Sequence, residues 1–236
     1  MATKPLRHQD DVEVTYSSER WELLKQLRAK AEPLMLVLEQ RHMQPIVHGS
    51  IARGDVKETS DIDIFIPNPP SSFQIETTLE QAKILVATRM VIQATPNYAM
   101  KAYLEIDAAT TVSFPLMDLR RVEREFYRFS GEINLAQLRA NARVAGVDKR
   151  LMLIEPTDAG HMESSILGKE ESVAKTLGVA VETVSDRVRA LMKRDAVGRT
   201  GVFVKRELAG DETFELAVER LAAENPAVRR RLRSSA

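Results

Sequence analysis

The chain contains no cysteine, which excludes a disulfide framework and thiolate metal sites, zinc fingers among them, and agrees with a reducing compartment. It has no net charge either. Its 34 Lys and Arg balance 34 Asp and Glu, so no single-sign field steers it onto nucleic acid or an anionic membrane, and such binding needs a local patch. No stretch approaches the roughly 20 apolar residues that span a bilayer, and the opening MATKPLRHQDDVEV lacks the apolar centre of a signal peptide. The expectation is a soluble, cytoplasmic protein with no membrane partner. The one dense basic run, RRRLRSS at 229–235, reads as a solvated tail.

At 236 residues and 44% hydrophobic content, the chain suits two small domains. Residues 17–42 carry helical spacing (Trp21, Leu24, Leu27, Ala31) with Pro33 as a kink or restart. PIVHGS (45–50) reads as a short buried strand stopped by Gly49, and IARG as a turn or short helix. DIDIFIP (61–67) alternates Asp61, Asp63 and Phe65 with Ile62, Ile64 and Ile66, a period of two that predicts a strand. FQIETTLEQAKIL is helical; MVIQAT, KAYLEID and TVSFPLM are strands, the last two forming a hairpin. Two further helical segments lead to a strand over 150–156. The polar TDAGH (157–161) marks a domain boundary, and His161 within it is given no role.

Two aspartates on one strand face lie about 6–7 Å apart along the strand. Unaccompanied, they repel and drive one acid towards its neutral form; a divalent cation with hard oxygen ligands turns that repulsion into affinity. Gly49 lets the backbone approach a phosphate, and Ser50 with the following amides can donate to a triphosphate. Arg53 adds a cation. His48, just ahead of this turn, reads as a packed strand histidine, Trp21 as a core anchor and the methionines as core filler.

The arrangement Gly-Ser-x-Ala-Arg-Gly, a spacer ending in Ser60, and then Asp-Ile-Asp-Ile resembles the nucleotidyltransferase superfamily of DNA polymerase β, including its minimal members and the catalytic head of archaeal CCA-adding enzymes. The resemblance implies an α/β (α+β) fold with a small mixed sheet flanked by helices. It implies that Gly49 and Ser50, with Arg53 nearby, hold a nucleoside triphosphate, and that Asp61 and Asp63 bind Mg²⁺ (or Mn²⁺). Members usually add a third carboxylate on a later strand. Glu105 and Asp107 are the candidates if that strand is AYLEID; if it is the second arm of the hairpin, the position falls near Ser113, which is no carboxylate.

Residues 169–208 follow another pattern. A short helix burying Val173, Ala174 and Leu177, a turn at Gly178, and a second helix burying Val184, Val188 and Leu191 precede VGRTGVFVKREL, which reads as a two-stranded wing. This resembles a winged helix-turn-helix over about 162–208. The resemblance implies groove contacts from Thr183, Ser185, Asp186, Arg187 and Arg189 and phosphate contacts from Arg199 and Lys205, although Glu182 and Asp186 oppose phosphate.

The expected organisation is a nucleotidyltransferase domain over 1–130, a helix, strand and linker over 131–160, and a winged helix-turn-helix domain with a basic tail over 161–236. The leading expectation is Mg²⁺-dependent transfer of NMP from an NTP to a DNA, RNA or protein acceptor with pyrophosphate release. The alternatives are a DNA-binding transcriptional regulator whose inactive domain senses a nucleotide, and an assembly protein that forms a homodimer through its winged module.

Overall fold

A computed structural model describes residues 11–198 and 201–234. The chain divides into two compact units that interleave along the sequence: one comprises 1–32, 47–60 and 121–200, the other 33–46, 61–120 and 201–236. The expected sequential division at 130 and 160 is not the one observed. Helix α1 (Ser18–Glu39), with Pro33 inside it, supplies its first part to the first unit and its second to the other. No described helix is long and apolar enough to cross a membrane.

The first unit contains an antiparallel sheet in the order β1-β10-β9-β8, formed by β1 (Val12–Thr15), β8 (Gly146–Val147), β9 (Met152–Thr157) and β10 (Gly160–Ser165). β9 and β10 form a hairpin through TDAGH, so this stretch is a turn inside a sheet and not a domain boundary. Gly160 faces Thr15 in register, and a Cβ there would collide with the Val14 carbonyl, so only glycine lets β1 dock. Behind the hairpin, α4 (Arg121–Phe129), α6 (Glu170–Leu177) and α7 (Val181–Val197) enclose an apolar core in which Phe129, Leu151, Ile166, Val173, Leu177, Val184 and Leu191 are buried. Val173, Leu177, Val184 and Leu191, with Ala174, are helix positions expected from the 3.6-residue period, whereas Val188, expected with them, is only partly buried. Two short elements, β7 (Glu132–Asn134) and α5 (Leu135–Arg139), complete this part, with Asn134 and Gln137 forming a reciprocal capping box.

His161 lies in β10, 1% exposed, at the centre of a polar chain. Tyr16 Oη is 2.6 Å from its Nδ1 and Glu163 Oε1 is 3.0 Å from its Nε2, while Arg150 grips both oxygens of Glu163 at 3.0 and 2.5 Å and Asp148 at 2.6 Å. Burial opposes ionisation of Glu163, but the hydrogen bonds from Arg150 and His161 prevail and hold its carboxyl below the usual range. Its folded pKa is thus below the unfolded one. The stabilisation is fully present above the unfolded value of about 4.3 and is lost as pH falls through the folded value. Glu163→Gln should cost about 2–3 kcal/mol at pH 7 and flatten the acid limb of a urea-unfolding profile; an unchanged acid limb would exclude Glu163 as its source.

The second unit is built on a mixed sheet in which β11 (Val204–Glu207), β4 (Thr88–Gln93), β5 (Lys101–Asp107), β6 (Thr110–Pro115) and β3 (Ile62–Phe65) are neighbours in that order. Of these neighbouring pairs β3 and β6 run parallel and the other three antiparallel. Ile62, Ile64, Val112, Phe114, Ala102, Leu104 and Val91 alternate onto one face and are buried. Phe114 meets Phe214 of α8 (Phe214–Glu224) edge to face at 5.7 Å, and α3 (Ser72–Gln81) is tied to α8 by the Ser72 hydroxyl on Glu215 at 2.7 Å. Ser71 and Gln74 cap α3 reciprocally.

Among the described residues a two-stranded wing is not seen. Arg199 and Thr200 lie outside the described residues, and β11 joins the free edge of β4, with Val204 opposite Gln93 and Glu207 opposite Met90. An unpaired edge strand accepts a partner of matching pattern wherever the chain returns one. The basic run is also no free tail: it forms α9 (Pro226–Arg233), capped by the Asn225 side chain on the Ala227 amide. Asn at the cap with Pro at the first helical position is a standard helix start.

Candidate functional site

Helix α2 (Ser50–Arg53) follows β2 (Ile46–His48) through Gly49, whose φ of +78° admits few other residues. The Gly49 carbonyl accepts from the Ala52 and Arg53 amides, and its own amide donates to Gly131. The first-turn amides of Ser50 and Ile51 have no acceptor within so short a helix. No atom lies within 4 Å of a Cβ built on Gly49, so the turn is open above the backbone. Ser50 Oγ donates to Ser60 Oγ at 3.1 Å, and Ser60 accepts from the Lys57 amide at 2.9 Å, which fixes the loop between motif and strand.

Arg53 does not point out towards a phosphate. It is 5% exposed, and its guanidinium donates to the Ser130 carbonyl at 2.6 Å and to Asp55 at 2.9 Å. Arg28 similarly donates to the Ile51 and Ala52 carbonyls, and burial together with the positive charge of Arg143 lowers its pKa to about 10. Both arginines hold α2 in place from beneath. His48 packs edge-on against Tyr127 at 4.9 Å and Phe126 at 6.1 Å, as a packed strand histidine should.

Gly49 and Ser50 belong to the first unit, Asp61 and Asp63 to the second. Asp61 lies one residue ahead of β3 and is exposed; Asp63 is half-buried on the strand, alternating with the fully buried Ile62 and Ile64. The apolar neighbours thus fix which way the acids face. Across the sheet, Asp63 is in register with Thr111 of β6, and Thr111 with Glu105 of β5. Residues in register share a face, so Asp63, Thr111 and Glu105 form one row with Glu105 two strand spacings, about 10 Å, from Asp63. The next row is Phe65, Ser113 and Tyr103.

The position facing Asp63 on the adjoining strand therefore holds threonine, with Ser113 one row further on, and Glu105 is the acid of this face set one strand back. Asp107 is elsewhere. It lies beyond a bulge at the end of β5, and its carboxylate accepts from the Ala109 amide at 2.9 Å to shape the hairpin turn. Tyr103 has its pKa pushed up to about 12, by burial first and by the negative charge of Asp63 second. It stays a neutral hydroxyl beside that acid and is unsuited to act as a base. Among the described residues no three His, Asp or Glu side chains converge on a ready-made metal site. Two carboxylates facing one way from a strand do suit a hard cation that draws its remaining ligands from phosphate oxygens and water.

The predicted groove-reading face of α7 is largely committed within the chain. Thr183 is 1% exposed and its hydroxyl donates to Glu125 of α4 at 2.5 Å. Glu125 also accepts from the Ala180 amide at 2.9 Å, and so caps a helix whose own cap residue, alanine, has no polar side chain. Burial resists ionisation of Glu125, but these bonds, with Arg121 and Arg128, keep its carboxyl below the ordinary range. Arg187 lies over the Phe126 ring at 4.6 Å, Ser185 is half-buried, and Arg189 is exposed with Asp186 3.9 Å away. Lys205 is exposed on β11, paired with Ile92. These six expected nucleic-acid residues thus fall on two separate elements, with Arg199 undescribed. Nothing in the local pattern around Thr183 signals Glu125, which lies 58 residues away.

Residues 43–125 match the family model described as the nucleotidyltransferase domain. The match does not reach α6 and α7, and a winged helix-turn-helix is not shown. No curated protein and no solved structure matches the chain.

Proposed function

We propose that the domain transfers the nucleoside monophosphate of an NTP to a hydroxyl acceptor and releases pyrophosphate. The observation that carries this reading is the acid pair: Asp61 and Asp63 face away from a buried isoleucine strand, inside the segment that matches the nucleotidyltransferase family. In this reading Asp61 and Asp63 hold Mg²⁺ or Mn²⁺, while Gly49 and Ser50, which belong to the other unit, keep the phosphate-binding role that the family resemblance implies. A cation held there supplies charge neutralisation on the triphosphate.

The chain's own residues would do the rest. The acceptor oxygen forms a bond to the α-phosphorus as the α-to-β bridging oxygen leaves with pyrophosphate, and the acceptor's proton passes to a base. We assign that role to Glu105 because it shares the Asp63 face, whereas Asp107 is occupied in its turn and Tyr103 stays neutral. The regulator reading has no support in the comparison, and the Thr183 and Arg187 side chains it relies on are packed against α4.

Calorimetric titration of each common NTP with Mg²⁺ into the wild type and Asp61→Ala tests the assignment. Removing one of two metal carboxylates should weaken metal-dependent nucleotide binding by roughly 100-fold or more, about 3 kcal/mol. Equal affinity in the variant would remove Asp61 from the site.

A further inference from the structure

Thr111 stands between the two acids of its sheet face. It is in register with Asp63 of β3 on one side and with Glu105 of β5 on the other, and all three belong to the second unit. Register pairs share a face, and neighbouring strands are about 4.8 Å apart. The three side chains therefore leave the sheet in one line, with Thr111 midway. Thr111 is half-buried, and its hydroxyl makes no hydrogen bond among the described residues. Ser113, one row further along β6, differs: it is buried, and its hydroxyl donates to the Ile64 carbonyl at 3.4 Å. A β-branched residue suits the strand at position 111, but valine would serve that purpose equally. The hydroxyl is what the strand does not require.

The spacing sets a chemical requirement. A base takes a proton across a hydrogen bond of about 2.6–3.2 Å, or through one water. Glu105 is two strand spacings, about 10 Å, from Asp63 at the backbone. An acceptor oxygen held at Asp63 leaves a gap towards Glu105 that one intervening hydroxyl fills. A threonine hydroxyl has both a proton to give and lone pairs to receive one.

We propose that Thr111 is a catalytic residue of the transfer, whose hydroxyl binds the acceptor hydroxyl and relays its proton to Glu105. This rests on the transferase reading and specifies how that site holds and activates its acceptor. As the acceptor oxygen bonds to the α-phosphorus and the bridging oxygen leaves with pyrophosphate, the acceptor's proton passes to Thr111 Oγ1. The proton that Thr111 carried passes to the Glu105 carboxylate. Thr111 ends as a neutral hydroxyl, as it began, and Glu105 returns its proton to solvent. The contribution of Thr111 is thus confined to the step in which the acceptor reacts, and binding of the NTP does not draw on it.

The test is turnover of an α-labelled NTP with Mg²⁺ by the full chain, with water and with a single-stranded oligonucleotide, as RNA and as DNA, as acceptor probes. It compares the wild type with Thr111→Val and Thr111→Ser. Valine keeps the branched shape and the strand preference and removes the hydroxyl. It should lower kcat by about 10- to 100-fold and leave the calorimetric affinity for Mg²⁺ and NTP unchanged, and serine should recover most of the loss. Glu105→Gln should lower kcat similarly. The double variant Thr111→Val, Glu105→Gln should be no slower than the slower single variant, because two members of one relay fail together. Wild-type kcat in Thr111→Val, equal losses with serine and valine, weakened NTP affinity, or losses that multiply in the double variant each overturn the relay and leave the transferase reading standing. No pyrophosphate from the wild type with any common NTP and any of these probes overturns both.

Discussion

Asp63→Asn should reduce pyrophosphate release by about 10²- to 10³-fold while leaving the fold intact, because the side chain keeps its size and loses only its charge. The strand tolerates this change for a specific reason. Its packing comes chiefly from Ile62, Ile64 and Ile66, all fully buried, and Asp63 contributes a charge to the opposite face, which it shares with Phe65. A carboxylate that stabilises charge in the reacting complex is worth several kcal/mol there, and each 1.36 kcal/mol corresponds to tenfold in rate. The same change should shift the pKa of Tyr103 downwards from about 12, since Asp63 contributes to holding it up. A pH titration of tyrosinate absorbance reads this without any substrate. Unchanged turnover with a shifted Tyr103 would place Asp63 correctly in space and wrongly in function.

The second large effect is expected in the opposite direction. Thr111 stands in register with Asp63 on the adjoining parallel strand, where neighbouring chains are about 4.8 Å apart. Thr111→Asp would bring a third carboxylate beside the pair. Without a divalent cation the variant should be less stable by roughly 1–3 kcal/mol, the repulsion of two charges about 5 Å apart in a partly screened site. With Mg²⁺ present the sign reverses, and metal-dependent NTP binding should tighten by about tenfold or more as a further hard oxygen ligand is added. Faster pyrophosphate release is expected with it. Thermal unfolding with and without Mg²⁺ gives the cleanest readout, because the two conditions should move the variant's midpoint in opposite directions relative to wild type. A destabilisation that Mg²⁺ leaves untouched would mean that no cation occupies this row.

What could be read before the structure follows from the range of the interactions involved. The alternation of Asp61 to Ile66 and the opening at Gly49 are local, and β3 and α2 lie where they were expected. The apolar stripe of α6 and α7 is also local, and Val173, Leu177, Val184 and Leu191 are buried. The failures are of partner choice. VFVKREL has a strand's period, but its pairing with Met90–Gln93 is set by an open sheet edge more than 100 residues earlier. Arg53 has the charge of a phosphate ligand, and Ser130 and Asp55 claim its guanidinium instead. Glu105 and Asp107 are two residues apart in one acidic strand; a bulge between them, invisible in composition, leaves only Glu105 in the Asp63 row. The helix at the basic end, in contrast, carried its signal in Asn225-Pro226, masked by the charge density that follows.

The reading as a whole depends on whether nucleotide is turned over. The most direct measurement is to incubate the protein with Mg²⁺, an α-labelled NTP and a single-stranded acceptor, and to follow pyrophosphate and acceptor-bound label in the same sample. Equal amounts of both, formed with Mg²⁺ and reduced by about 10²- to 10³-fold in Asp63→Asn, is the predicted result. Binding of nucleotide with neither product, across the common NTPs and both kinds of strand, would contradict it.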